Sequence, residues 1–376
     1  MRKIWLFSKN MDLWLLALPV WICWLICFLV PSSVHSGELP LWFWVFIIVG
    51  IDVSHVWSTI FRTYLDKSEF NNHKKTLIYA PAISLLILFS IACVSITFFW
   101  TVLAYVALYH FIKQQYGFMQ LYRVKYGKVD FKKWISDKTA IYTSMLFPVF
   151  YWHVNTQRNF SWFVDGDFFN LSQWISQIEF WDISLLVLIN QTGNLAYFTV
   201  LGLWLAQELY FTKKQQLKIP IGKLIWVLTT ACNWYLGIVY FNSDFAFSLT
   251  NVVAHGIPYL VLLFFYVERK KILRTSALPY SKIMGHLVFM IVVILILAFG
   301  EEYFWDMFLF RDNVHFFESI SDYPFDMLIS PYAKAFTLAL LSLPQVTHYV
   351  LDGFIWKKND KNPYLGEVLF GGEDGS

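Results

Sequence analysis

Four short segments place a histidine three or four residues from a second polar side chain. They are Asp52–Val53–Ser54–His55, His110–Phe111–Ile112–Lys113–Gln114, Asn251–Val252–Val253–Ala254–His255 and His348–Tyr349–Val350–Leu351–Asp352. Residues at that spacing share one helical face, so each segment can present both groups to the same place. Imidazole and carboxylate are good ligands for iron, zinc or manganese. His55, His110, His255 and His348, with Asp52 and Asp352, are therefore the candidate metal ligands. Gln114 and Asn251 can act as weak ligands or as groups that fix the imidazoles. Lys113 lies beside His110 on a different azimuth, where it can snorkel to the surface or balance a carboxylate. Tyr259 follows His255 by four residues and Tyr349 follows His348 directly. Both are candidates for proton or electron transfer, and they join Asp52 and Asp352 as candidate catalytic residues.

All four segments fall inside strongly apolar stretches. Hydrocarbon penalises an unpaired polar group by several kcal/mol. A lone imidazole there commonly just hydrogen-bonds a neighbouring helix. Four with polar companions at regular spacing call for a common cause, and a metal or haem site between helices is the simplest one.

The surrounding sequence supports a membrane setting. The 376 residues are 57% hydrophobic and only 15% charged, with mean hydropathy +0.50. Soluble domains carry about a quarter charged residues. The expected fold is all-α, a polytopic transmembrane helical bundle. About ten spans fit, near residues 12–31, 41–61, 77–96, 98–118, 139–157, 183–208, 223–241, 246–267, 283–303 and 334–356. Each is about long enough to cross roughly 30 Å of hydrocarbon. The third and fourth are separated by a break near Ser95. The basic N-terminus and the apolar run after it read as a retained first span rather than a cleaved signal. Residues 1–365 form a single membrane domain, and the glycine-rich 366–376 is a flexible cytoplasmic tail.

Charge gives an independent test. With the N-terminus inside, 25 of the 29 Lys and Arg fall in cytoplasmic segments; Arg158, Arg311 and Lys334 fall outside and Lys113 lies within a span. That asymmetry places both termini in the cytoplasm and suits a bacterial inner membrane. Arg62, Tyr64, Arg123 and Lys357 can line a cytoplasmic entrance for an anionic headgroup, although positive-inside topology accounts for them equally. The outer segments are acidic instead, with Asp165, Asp167 and Glu179 in one. The other holds Glu301, Glu302, Asp306, Asp312, Glu318, Asp322 and Asp326. Cys23, Cys27, Cys93 and Cys232 lie in apolar runs without a CxxC, as small buried hydrophobes. His35, His73 and His315 fall in expected loops, and no basic patch suits nucleic acid.

The four histidine segments resemble those of integral-membrane histidine-motif oxygenases and desaturases, and of membrane carotenoid-cleaving enzymes. Desaturases carry dense HxxxH and HxxHH clusters, whereas each segment here offers one histidine. The resemblance implies a non-haem iron centre of one or two ions that activates dioxygen against an apolar or lipid-like substrate drawn from membrane lipid. An electron-donor protein or quinone would be its partner. Two other classes fit the residues: a membrane haem protein in quinone-linked electron transfer, with paired histidines as axial ligands, and a metal-cation or proton-coupled transporter.

Overall fold

The computed structural model describes residues 3–36, 39–127, 129, 133–155, 162–180, 183–275, 280–317 and 330–371. Arg158, Glu318, Asp322, Asp326 and tail residues 372–376 lie outside them. Among the described residues the chain is all-α apart from a two-residue antiparallel pairing of Glu179–Phe180 with Ile183–Ser184. The principal helices are α1 (Lys9–Leu29), α2 (Leu41–Arg62), α3 (Lys67–Val94), α4 (Ile96–Tyr126), α5 (Asp137–Val154) and α6 (Leu185–Lys214). They continue with α7 (Ile221–Trp234), α8 (Asp244–Thr275), α9 (Tyr280–Trp305), α10 (Pro331–Leu341), α11 (Leu343–Ile355) and α12 (Pro363–Phe370). Among the described residues, seven helices are long and apolar enough to cross a membrane: α1, α2, α3, α4, α6, α8, and α9 with its continuation to Phe310.

Local chemistry explains several boundaries. Ser95 is extended, and its Oγ accepts the Phe98 N–H at 3.2 Å, which separates α3 from α4. The stretch expected at 334–356 is broken: α10 ends at Leu341 and α11 restarts with Pro344 in its first turn. Proline tolerates that position because the missing N–H has no helical partner there. Helix α3 starts ten residues before the expected span, and His73 is a buried residue at a kink within it, with φ −115° and ψ 15°, rather than a loop residue. Glu301 and Glu302 also leave the loop class. They occupy the last turns of α9 and accept indole N–H bonds from Trp57 (2.6 Å) and Trp44 (3.0 Å) of α2. Cys23 and Cys27 are buried, but Cys93 and Cys232 are exposed.

The chain divides into two compact units, Met1–Pro40 with Ala107–Pro258, and Leu41–Val106 with Tyr259–Ser376. Within the first, a buried ion quartet ties the starts of α5 and α7 to the end of α6. Lys223 Nζ donates to Asp137 (3.0 Å) and Glu208 (2.7 Å), and Lys133 bridges the same two carboxylates. Two cations facing two anions keep the cluster neutral, the condition under which buried charge is tolerable.

Within the second unit the corresponding anchor is Arg62, which is 0% exposed. Its guanidinium pairs with Glu69 and donates to Ile355 O (2.9 Å) and Asn362 Oδ1 (3.3 Å). It also lies over the Tyr266 ring, 3.9 Å from the centroid. Glu69 accepts from Tyr266 (3.0 Å) and from Lys270, which also bonds Asp66 at 2.8 Å. Burial raises the Asp66 carboxyl, but the Lys270 bond and backbone donors outweigh it and hold the pKa down at about 2. Arg62 is thus not part of a headgroup entrance. It fastens the ends of α2 and α11, the two helices of this unit that carry His55 and His348.

Candidate metal centre

In the first unit, His110 on α4 and His255 on α8 have ring centroids 4.9 Å apart. The His255 ring stacks on Phe111 at 3.8 Å, almost parallel to it, which fixes its plane. Pro258 determines how α8 is held. It has no N–H, so the carbonyl of Ala254 loses its usual helical donor four residues on. Gln115 Nε2 fills that place at 3.0 Å, and Gln114 Nε2 donates to the neighbouring His255 carbonyl at 2.8 Å. Gln115 is itself pinned, accepting from Thr230 Oγ1 at its own Oε1 (3.0 Å) and from Trp226 Nε1 at its carbonyl (3.0 Å). Gln114 therefore grips the backbone beside a candidate ligand rather than an imidazole. Asn251 is buried, accepting from Asn233 (3.1 Å) and donating to Phe247 O (3.1 Å). Lys113 is exposed, 5.3 Å from the Tyr116 ring centroid.

In the second unit, His55 on α2 and His348 on α11 also have centroids 4.9 Å apart. Helix α2 is π-helical over Trp44–Val53 and becomes α-helical at Ser54, whose hydroxyl donates to Val49 O at 2.8 Å. Asp52 lies at the end of this run with its carboxylate 3.5 Å from His55 Nδ1. Asp352 lies 3.9 Å from His348 Nδ1 and accepts from the Tyr259 hydroxyl at 2.8 Å. Tyr259 also meets Thr59 Oγ1 (2.9 Å), and Thr59 Oγ1 meets His348 Nδ1 (2.7 Å). The Tyr349 hydroxyl instead accepts from Gln345 Nε2 at 2.7 Å.

One ligand atom from each of His55, His110, His255 and His348 lies within 4.8 Å of all the others, and all four residues are buried. Four nitrogens each about 2.1 Å from one ion are at most about 4.2 Å apart. The four imidazoles are thus close enough together to be able to hold one ion. Asp52 and Asp352 stand beside the imidazoles and are not members of the mutually close set.

Sequence reasoning missed Thr59. It follows His55 by four residues, the same-face spacing that singled out the other polar companions, so the signal was present. No protein-family model, curated protein or solved structure was found to match this chain.

Proposed function

We propose that the chain is an integral-membrane metalloenzyme, a non-haem iron oxygenase or oxidase acting on an apolar or lipid-like substrate. The observation that carries this is the convergence of four buried imidazole nitrogens within 4.8 Å. One such set suits a single ion rather than a pair. An all-imidazole shell without thiolate suits iron, zinc, copper or nickel, and the resemblance to membrane oxygenases selects iron. Iron held there by His55, His110, His255 and His348 would supply dioxygen activation.

The protein's own part is orientation, charge balance and exclusion of water. Four neutral imidazoles leave the two charges of a divalent ion uncompensated. Asp52 and Asp352, 3.5 Å from His55 Nδ1 and 3.9 Å from His348 Nδ1, are the nearby carboxyls that would balance the charge of a bound ion. Tyr259, bonded to Asp352, is the residue best placed to pass a proton to or from the centre. The apolar surfaces of the long helices suit entry of substrate from lipid, and burial of the rings keeps bulk water from the reacting atoms. We place the protein in a bacterial inner membrane with both termini cytoplasmic and about ten crossings, as the basic inner segments favour.

The haem alternative is less well supported. Two of the histidines would hold a haem between them, whereas all four gather in one place, which suits a single ion better. Metal analysis and an absorption spectrum of the purified full-length protein separate the readings. We expect about one iron per chain, no Soret band, and dioxygen uptake stimulated by an apolar substrate. A Soret band would establish the haem reading instead. Absence of both cofactors, together with substrate-dependent cation flux in vesicles, would establish a transporter.

A further inference from the structure

We propose that Thr59 is a positioning residue of the metal centre, holding the His348 proton on Nδ1 and so directing the Nε2 lone pair to the ion. The inference rests on the metal-centre reading and assigns a role to a side chain outside the ligand set.

Proton bookkeeping along the bonded chain carries it. Tyr259 has one hydroxyl proton, and it is donated to Asp352 Oδ1 at 2.8 Å. Tyr259 therefore meets Thr59 as an acceptor, and the 2.9 Å contact uses the single Thr59 proton. With that proton committed, Thr59 Oγ1 can only accept at its 2.7 Å contact with His348 Nδ1. The Nδ1 must then carry a hydrogen. A neutral imidazole has one N–H and one lone pair, so the lone pair is on Nε2. A single direction runs through the chain, from His348 Nδ1–H to Thr59, Tyr259 and Asp352, with the carboxylate as its terminal acceptor.

Thr59 is well built for this. It is buried, as are Tyr259 and His348, so water does not compete for the bonds. Its side chain is β-branched and restricted in χ1, which keeps the hydroxyl where the ring needs it. Its own carbonyl is occupied by the Thr63 hydroxyl at 2.7 Å. The direct Asp352–His348 separation of 3.9 Å is too long for a hydrogen bond. The carboxylate thus reaches the ring through Tyr259 and Thr59.

The test is titration of the full-length, metal-stripped protein with Co(II), read by its visible ligand-field bands. Thr59→Val keeps the shape and removes the hydroxyl, while Thr59→Ser keeps the hydroxyl. We expect about 10- to 100-fold weaker Co(II) binding and shifted bands for Thr59→Val, the scale of effect when a partner behind a ligand is lost. Thr59→Ser should restore both. Tyr259→Phe frees the Thr59 proton to turn onto Nδ1. It should shift affinity and bands in the same direction, which supplies the test if Thr59→Val fails to fold. Wild-type affinity and bands in folded Thr59→Val, or in Tyr259→Phe, would overturn the role of Thr59 while leaving the metal centre intact. A wild-type chain that takes up no Co(II) would overturn the metal centre and the role of Thr59 together.

Discussion

Replacing His110 or His348 with Ala is expected to empty the metal centre. Each contributes one of four nitrogens drawn to within 4.8 Å of one another. Alanine offers no donor, and a burial site surrounded by rings gives a replacement water few partners. Loss of a partner behind a ligand weakens metal binding by about 10- to 100-fold. Loss of a ligand should exceed the upper end of that range, so the metal should not survive purification. The fold should persist. The His110 variant loses a packed ring and leaves the Gln114 and Gln115 bonds to α8 in place. The His348 variant loses a buried ring and its contact with Thr59, a large-to-small change that costs a few kcal/mol, about 2–5. Metal per chain, measured beside helix content by circular dichroism, checks both points. His35→Ala is the control, because His35 bonds Ser243 and the Cys27 carbonyl and should keep full metal. Undiminished metal in either variant would remove that histidine from the ligand set.

The second large effect is on stability. Arg62→Met should destabilise the protein by about 3–5 kcal/mol, the usual cost of breaking a buried ion pair from one side. Methionine fills much of the volume but takes the guanidinium from Glu69, which keeps its bonds from Lys270 and Tyr266, and withdraws donors from Ile355 O and Asn362. It also removes the cation lying over Tyr266. Arg62→Lys should recover only part of the loss, because an ammonium cannot reproduce the planar fork that serves Glu69, Ile355 and Asn362 together. Thermal unfolding in one detergent at one pH measures the difference. A change within about 0.5 kcal/mol, the range of ordinary surface substitutions, would show that Arg62 is a solvated charge after all.

These two results probe what was and was not legible in the sequence. The helices were legible because long apolar runs and their polar interruptions are local features. Ser95 announces its own break, being able to cap the helix that follows. The break at Ser342 carried a signal too, in Pro344, but the apolar run across it hid the signal. The histidines were legible as costly intrusions with companions three or four residues away. Their convergence was expected from that shared cost but could not be fixed, since spacing along one helix sets depth and azimuth on that helix but not which helices are neighbours. The same limit hid Arg62. Its partners Ile355 and Asn362 are about three hundred residues away, and Glu69 receives Lys270 from 201 residues away. A basic residue at the inner end of a span looks like an ordinary topogenic charge until those partners are in place. Pro258 is an intermediate case. Its lack of an N–H predicts an orphan carbonyl at Ala254, but only the fold shows that Gln115 of α4 meets it.

The most direct test of the metal centre is X-ray absorption at the metal edge of the iron-loaded wild-type protein. The prediction is a shell of about four nitrogens near 2.1 Å with the outer-shell scattering of imidazole rings, and no sulfur ligand. A porphyrin pattern, a thiolate shell, or iron bound with no imidazole scattering would contradict a four-histidine centre.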